Sequence, residues 1–390
     1  MPAWRYERTG ECRSSERRDA PCYTRAMDYS GRLRKLRASL SAQKLDFLLL
    51  NHLPNIRYLC GFTGSSGALL VGDSDAVLFT DGRYRTQAQS EVAGAKIAIV
   101  RNPPVLAVAE WLVEGRGTRS RKPNLGIEGE SLSVATRDRL VGALKGRVRL
   151  RQAPPLVERA RMVKDPDEIR LIRRAVEMGA SLFPTALKTI RPGTKEVEVA
   201  AAMEYEARRR GAEGMSFSTI IASGKRSAVV HGRASEAAIA ACGFVVCDFG
   251  VILAGYCSDR TRTVHVGKVS REAREMYRAV LEAQQSAIAE VRGGRAVSEV
   301  DAAARKVLRK SKLARYFTHS TGHGLGLEIH EAPRIAAGQR QELEPGMVVT
   351  IEPGAYIPGA RGVRIEDVVV VGASGCEVLT PSDKELIILE

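Results

Sequence analysis

Short apolar runs and helix-spaced apolar positions alternate along the first part of the chain. Apolar runs of four to six residues have strand length, whereas apolar residues that recur every three or four positions indicate a helix face. The predicted elements are strands at 46–50, 67–71 and 76–80 and helices at 32–43 and 107–114. Strands that alternate with helices are typical of an α/β domain.

A second pattern begins where Asp165, Pro166 and Glu168 form the sequence signature of a helix start. Asp165 has the chemistry of an N-cap, Pro166 suits the first helical position, and Glu168 completes a capping box. Long helices interleave with paired strands after this point, so we predict an α+β domain with helices packed on a curved antiparallel sheet. The expected helices are 167–190, 195–211, 271–292 and 298–311, and the strand pairs lie near 243–268 and 347–372.

The length of 390 residues also favours two domains, which we place at residues 27–158 and 159–390. Hydrophobic residues make up 44% and charged residues 27% of the chain, and no apolar run is long enough for a membrane span. Residues 1–26 are polar and rich in arginine, without the apolar core of a signal peptide. We expect them to form a disordered tail, or to precede a native start at Met27.

The number of cysteines and the distribution of charge indicate the cellular compartment and limit the classes of partner. The seven cysteines are odd in number and include no CxxC pair, which fits a reducing cytoplasm better than a disulfide framework or a zinc ribbon. The net charge of +15 is spread along predicted helix faces instead of being clustered beside aromatic residues. We therefore expect neither a membrane nor a nucleic-acid partner.

The first candidate for chemistry is a predicted hairpin between Asp248 and Asp259. If Leu253 and Ala254 form a two-residue loop, outward counting places the two aspartates directly opposite each other. Opposed carboxylates destabilise a sheet unless a cation compensates their charge, so the arrangement indicates a metal site. The alternative is that both aspartates are solvated at a turn or a sheet edge.

A second predicted hairpin repeats this arrangement with glutamates. A turn centred on Gly359 places Glu352 opposite Glu366 by the same counting. Two such hairpins, meeting face to face, provide four carboxylates to one shared site.

Three histidines, His319, His323 and His330, lie between these hairpins in a glycine-rich segment. A lone histidine is more often a surface or core residue, but three within twelve residues indicate at least one ligand. Four carboxylates and one imidazole suit a pair of divalent ions, Mn²⁺ first, with Co²⁺ or Zn²⁺ as alternatives. The segments lack a GxSxG nucleophile context, a GxGxxG spacing and a Walker lysine.

These motifs resemble those of the metallopeptidase family that includes aminopeptidase P, prolidase and methionine aminopeptidase, known for the pita-bread fold. The resemblance covers about 160–390, and the segment 55–65 resembles the N-terminal creatinase/prolidase-like domain of the proline-specific branch. It implies two divalent metal ions held by a set of five ligands: Asp248, Asp259, His323, Glu352 and Glu366.

The same resemblance implies roles for residues around the metals. Glu352 would take the proton of the attacking water, while His231 and His330 would stabilise the transition state. His319 would shape the pocket, and Arg364 would orient the ligands. In the loop before His231, Gly-Lys-Arg at 224–226 replaces the usual Gly-Pro-Asn type of sequence.

The function implied is hydrolysis of the bond between an N-terminal residue and a following proline, by an Xaa-Pro aminopeptidase. The enzymatic alternative is a strict Xaa-Pro dipeptidase, because both activities use the same metal core. The non-enzymatic alternative is a catalytically silent binding protein of the same fold. The expected partners are a proline-containing peptide substrate and, from the relatives, a second copy of the chain in a homodimer.

Overall fold

The computed structural model describes residues 27–114, 122–380 and 382–390. The chain forms two compact units that divide between Arg161 and Met162, a few residues beyond the boundary expected from the sequence. The expectation for residues 1–26 lies outside the described residues.

The first unit contains a six-stranded mixed sheet in the order β4-β3-β2-β1-β5-β6. Its strands are β1 (Phe47–Leu50), β2 (Ala68–Gly72), β3 (Ala76–Asp81), β4 (Lys96–Val100), β5 (Asn124–Glu128) and β6 (Arg149–Ala153). The pairs β1/β2 and β2/β3 are antiparallel, whereas β3/β4, β1/β5 and β5/β6 are parallel. Parallel neighbours need crossover connections, and helices provide them here.

The described helices of this unit are α1 (Tyr29–Ala42), α2 (Leu53–Cys60), α3 (Arg85–Glu91), α4 (Pro104–Val113), α5 (Val134–Ala143) and α6 (Leu156–Met162). Trp111 of α4 packs edge-on against Phe47 and Phe79 of the sheet, inside the apolar core. Helix α2 ends at Gly61, whose φ of +82° is a left-handed conformation that favours glycine. The α/β prediction for this part of the chain is confirmed.

The second unit combines helices with sheets that are antiparallel except for one edge pair. Its strands are β7 (Gly214–Met215), β8 (Ile220–Ser223), β9 (Gly243–Asp248), β10 (Val251–Leu253), β11 (Tyr256–Cys257), β12 (Thr261–Val266), β13 (Gly322–Gly324), β14 (Glu331–Ile335), β15 (Val348–Ile351), β16 (Gly354–Ile357), β17 (Arg361–Arg364), β18 (Asp367–Val371), β19 (Cys376–Val378) and β20 (Ile388–Leu389). The larger sheets have the orders β20-β12-β9-β8 and β14-β13-β15-β18-β19, and the parallel pair is β12/β20. The α+β prediction is therefore confirmed.

The described helices of the second unit are α7 (Pro166–Ala180), α8 (Phe183–Thr189), α9 (Glu196–Arg209), α10 (Arg271–Ala289) and α11 (Val297–Lys310). Helices α10 and α11 bury their apolar faces against the sheet strands in one continuous core. The predicted capping box is present at α7, because Asp165 accepts from the Glu168 backbone N–H and Glu168 accepts from that of Asp165.

One predicted helix is wrong in extent. The sequence predicted a single helix over 167–190, but the structure contains two helices separated at Ser181 and Leu182. Pro184 is the reason, because a proline ring clashes with the carbonyl four residues earlier, here that of Ala180. None of the helices in the described part of the chain is long and apolar enough to cross a bilayer.

Candidate active site

The hairpin that carries the two aspartates turns one residue later than predicted. Leu253 pairs with Tyr256, so the loop consists of Ala254 and Gly255, with φ values of +49° and +82°. Positive φ at both positions is the conformation of the tight turn that matches the twist of paired strands. The predicted loop at Leu253 and Ala254 is therefore wrong.

This shift changes the partner of Asp248, which lies opposite Thr261 at the end of β9 instead of opposite Asp259. Asp259 precedes Thr261 by two residues, and a strand period of two returns it to the side of Asp248. Burial, followed by the negative charges of Glu366 and Asp248, raises the pKa of Asp259, as expected for two aspartates on one side of the hairpin. The predicted direct pairing is wrong, but the two aspartates meet diagonally.

The glutamate hairpin has the predicted register. Gly354 pairs with Arg364 on one side of the glutamates, and Ile351 pairs with Asp367 on the other. Both pairs have the register that places Glu352 opposite Glu366, around a turn at Gly359 whose φ is +69°.

His323 lies in β13 and points its Nε2 at the carboxylates. Its Nδ1 lies 2.9 Å from the carbonyl oxygen of Gly324, which can only accept, so Nδ1 carries the proton. Nε2 lies 3.6 Å from Oδ2 of Asp259 and 3.5 Å from Oε1 of Glu352. Burial lowers the pKa of His323 to about 4, so the ring is neutral near pH 7 and Nε2 presents a lone pair. A lone pair that faces two carboxylates is the donor arrangement of a metal site.

The carboxylates crowd one another in a buried position. Burial and the neighbouring carboxylates raise the pKa of Asp259 and of Glu366 well above their ordinary values. Burial, together with the charge of Asp248, raises the pKa of Glu352 to about 8. Burial is the largest cause of these shifts, and the negative charges of the neighbouring carboxylates add to it.

Unpartnered oxygens show where cations would fit. Among the described residues, Oδ1 of Asp248, Oδ1 of Asp259 and Oε1 of Glu366 are buried without a hydrogen-bond partner. Ligand atoms of Asp259, His323 and Glu366 lie within 4.8 Å of one another. Buried acceptors without donors are costly unless a cation occupies the space between them, so this donor set fits divalent ions.

Arg364, at the end of β17, is the positive side chain that enters this cluster. Its Nη2 donates to Oδ2 of Asp248 at 2.5 Å, its Nε donates to Thr261 at 3.0 Å, and its Nη1 donates to the hydroxyl of Tyr356 at 2.8 Å. Its single charge offsets part of the charge of four carboxylates.

His319 continues this hydrogen-bonded chain. Its Nδ1 lies 2.8 Å from the carbonyl oxygen of Ser320 and its Nε2 lies 2.9 Å from the hydroxyl of Tyr356. Since a carbonyl only accepts, Nδ1 is the donor and Nε2 accepts from Tyr356, which in turn accepts from Arg364. Burial and the charge of Arg364 lower the pKa of His319 to about 3, which keeps this ring neutral.

The two remaining histidines lie at the accessible side of the cluster. The ring of His330 lies 4.5 Å from that of His323, and both burial and the nearby His231 lower the pKa of His330. His231 is exposed in the loop after the helical turn Gly224–Ala228, and Arg364 donates to the carbonyl oxygen of the preceding Val230 at 3.1 Å. The structure therefore brings every candidate site residue of the sequence into one region of the second unit.

Two contributors were missed by the sequence analysis. The Thr261 hydroxyl donates to Oε2 of Glu366 at 2.7 Å, and Tyr356 links His319 to Arg364. Strand parity was the available signal, because Tyr356 lies an even number of residues from both Glu352 and Arg364.

Comparison with known proteins agrees with this geometry. The sequence profile of metallopeptidase family M24 matches residues 170–373, a span that contains all five proposed ligands. The chain belongs to this family. A second profile, the creatinase/prolidase N-terminal domain, matches residues 32–163. The M24 assignment makes the protein a hydrolase, and the expected fold is confirmed.

Individual relatives of this M24 metallopeptidase are similar over nearly their whole length. The Xaa-Pro dipeptidase of Pyrococcus furiosus is 36% identical over 358 residues, which cover 91% of this chain and 99% of that one. A solved Xaa-Pro dipeptidase from Bacillus anthracis is 40% identical with a TM-score of 0.88, covering 93% of this chain and 100% of that one. An X-Pro aminopeptidase from Thermotoga maritima is 34% identical with a TM-score of 0.84, covering 92% and 99%.

Proposed function

We propose that this M24 metallopeptidase hydrolyses Xaa-Pro dipeptides. The observation that carries the proposal is the neutral His323, whose Nε2 faces the carboxylates of Asp259 and Glu352 at 3.6 and 3.5 Å. The dipeptidases of P. furiosus and B. anthracis favour this activity over the aminopeptidase expected first from the sequence.

The proposed metal set is the one implied by the resemblance: Asp248, Asp259, His323, Glu352 and Glu366. Four carboxylates balance two divalent cations in charge, and oxygen ligands with one imidazole suit Mn²⁺, with Co²⁺ or Zn²⁺ as alternatives. When bound, two such ions would supply Lewis-acid chemistry, lowering the pKa of a water and polarising the scissile carbonyl.

The chain's own groups would move the proton and stabilise the developing charge. Glu352 would accept the proton of the attacking water and return it to the departing proline nitrogen. His330 and His231 would donate hydrogen bonds to the oxyanion, which strengthen as negative charge builds. Arg364 would hold Asp248 in place, and His319 would support Arg364 through Tyr356.

The Xaa-Pro aminopeptidase is the second candidate, and the T. maritima structure is the observation that favours it. The two activities differ in whether a residue beyond proline is accepted, so one experiment separates them. The chelated protein is titrated with Mn²⁺, Co²⁺ and Zn²⁺, and cleavage of Xaa-Pro, Xaa-Pro-Yaa and proline-free peptides is measured.

We expect metal-dependent cleavage of the dipeptide, with little cleavage of the tripeptide and none of the proline-free control. Preferred cleavage of the tripeptide would replace the dipeptidase by the aminopeptidase. Equal cleavage of proline-free peptides, or full activity in the chelated protein, would overturn the proposal.

We also propose a cellular location, domain bounds and an oligomeric state for the protein. The described cysteines, Cys60, Cys242, Cys247, Cys257 and Cys376, are free thiols, which supports a cytoplasmic location. We propose a creatinase/prolidase-like domain at 27–158, a catalytic domain at 159–390, and a homodimer. Sedimentation measurements test the last of these.

A further inference from the structure

A buried ion pair lies next to the proposed active site without belonging to it. Lys164 Nζ lies 3.1 Å from Oε2 of Glu331, and the two side chains are only 1% and 6% exposed. Lys164 directly precedes the capping box of α7, and Glu331 directly follows His330.

Stability alone does not account for such a pair. Desolvating two charges costs about as much as their attraction returns, so well-packed apolar residues are often as stable at a buried pair. The contacts of the two side chains point to a role in fixing the positions of the groups that they join.

The carboxylate of Glu331 organises the loop in front of it. Its Oε1 accepts from the backbone N–H of Glu328 at 3.1 Å, and the backbone N–H of Gly326 donates to the carbonyl of Glu328 at 3.0 Å. A Cβ at Gly326 would lie 2.7 Å from Oε1 of Glu331, so the loop packs closely against this carboxylate. The segment 326–331 thus folds around one charged group.

The same loop is joined to both sides of the proposed metal site. Gly326 accepts from the backbone N–H of Cys257 at 2.7 Å, two residues before Asp259. Glu331 pairs with Gly324, beside His323, at a point where the strand register is irregular. A displacement of Glu331 would therefore move His330 relative to His323.

Lys164 is itself fixed in position. Its backbone N–H donates to the carbonyl of Gly346 at 3.0 Å, and its Nζ also donates to the carbonyl of Met162 at 3.4 Å. The following residue, Asp165, caps α7. Lys164 therefore holds the Glu331 carboxylate at a fixed position relative to the start of α7.

We propose that Lys164 is a positioning residue for His330, acting through the carboxylate of Glu331. This inference rests on the proposed function, because it gives His330 a role in peptide hydrolysis. Misplacement of a group by about 1 Å is enough to lower turnover by up to roughly 10²-fold.

The test variant is Lys164→Met, which retains an unbranched side chain one atom shorter and removes its charge. Metal-loaded variant protein should show kcat for Xaa-Pro reduced about 10-fold or more, with KM and metal content unchanged. In metal-free protein, hydrogen exchange of the segment 325–331 should increase, while exchange in α10 stays unchanged. The exchange measurement needs no activity, so it separates this inference from the proposed function. A wild-type enzyme that cleaves no Xaa-Pro peptide refutes only the function.

A double-variant cycle with His330→Ala distinguishes positioning from general damage. If Lys164 acts through His330, the variant with both substitutions should match His330→Ala in kcat to within about twofold. Losses that multiply, or unchanged exchange in 325–331, would overturn the proposal.

Two further variants provide a stability control and a replacement for Lys164→Met. Tyr277→Phe, which removes a part-buried hydrogen bond to the carbonyl of Lys384, is a control for a modest loss of stability away from the proposed site and should retain full kcat. If Lys164→Met does not fold, Glu331→Gln is used, because it removes the ion pair and retains an acceptor for the Glu328 N–H. Glu331→Gln should then show the same loss of kcat and the same increase in exchange, and wild-type values would refute the inference.

Discussion

Arg364 donates from Nη2 to Oδ2 of Asp248 over 2.5 Å, with side-chain exposures of only 4% and 11%. This contact joins the end of β17 to the end of β9, and it places a fixed positive charge among the carboxylates. Burial and the repulsion between the carboxylates raise the pKa values of Asp259, Glu352 and Glu366, and the charge of Arg364 offsets this rise only in part. Stability measurements with and without metal can therefore separate the contribution of Arg364 from that of bound cations.

Replacing Arg364 by Met should destabilise the metal-free protein by about 3–5 kcal/mol, the usual cost of leaving a buried charge unpaired. Saturating Mn²⁺ should recover part of this loss, because the ions compensate the charge of Asp248. Urea unfolding with and without Mn²⁺ measures both the loss of stability and its partial recovery by the metal. Arg305→Met is the control, since Arg305 pairs with the buried Asp301 and donates to the backbone carbonyls of Phe317 and His319, but contacts none of the four carboxylates. An equal loss for Arg364→Met with and without metal would contradict the expectation.

Replacing Tyr356 by Phe removes the hydroxyl that links His319 to Arg364. The variant should lose about 1 kcal/mol of stability, and up to about 3 kcal/mol if the buried Nε2 of His319 stays unsatisfied. Metal content should remain at the wild-type value, because the Arg364 contact with Asp248 is retained. Calorimetry and elemental analysis test these two statements, and loss of metal would show that Tyr356 does more than support Arg364.

Replacing Asp259 by Ala should reduce metal occupancy. Protein reconstituted with excess Mn²⁺ should approach two ions per chain in the wild type and fall below that in the variant. Asp301→Asn is a matched control, because Asp301 is also buried but pairs with Arg305 and Thr321 outside the cluster. Full occupancy in Asp259→Ala would remove this residue from the ligand set.

The metal-free protein should become less stable as the pH rises. Glu352 has a folded-state pKa of about 8 against an ordinary value of 4.5, so between these values the folded state holds a proton that the unfolded state has lost. Stability is therefore greatest below the ordinary value and is lost as the pH rises through about 8. Thermal unfolding of chelated protein between pH 7 and 9, above the ordinary histidine pKa of 6.5, where His319 and His323 are neutral in both states, should show a decline that Mn²⁺ reduces. A rise in melting temperature over this range would contradict the expected sign.

Replacing His231 or His330 by Ala should lower turnover and leave the metals in place. The loss of kcat should be roughly 10²-fold or more for each, as is typical for a lost oxyanion donor, with a smaller effect on ground-state binding. Cleavage of Xaa-Pro and metal content are measured for both variants in parallel. Wild-type turnover, or metal loss that accounts for the whole defect, would overturn the role of that histidine.

The sequence alone determined the fold class and most of the candidate site. Period-two patterns and turn residues are local properties, so they predicted the strands and the register of the Glu352 and Glu366 hairpin. The capping box is also a local property, because Asp165 and Glu168, three positions apart, bond to each other's backbone N–H where the helix begins.

Tertiary structure decided what depends on residues far apart in sequence. The turn of the Asp248 hairpin was instead a local signal that the prediction missed, because Gly255 favours the positive φ of a tight turn. The contacts of Arg364 with Asp248 and Tyr356, and of Lys164 with Glu331, join separate elements whose approach no local pattern encodes. The sequence therefore determined which chemical groups are available. The packing of the sheets determined which of these groups come into contact and how strongly their charges interact.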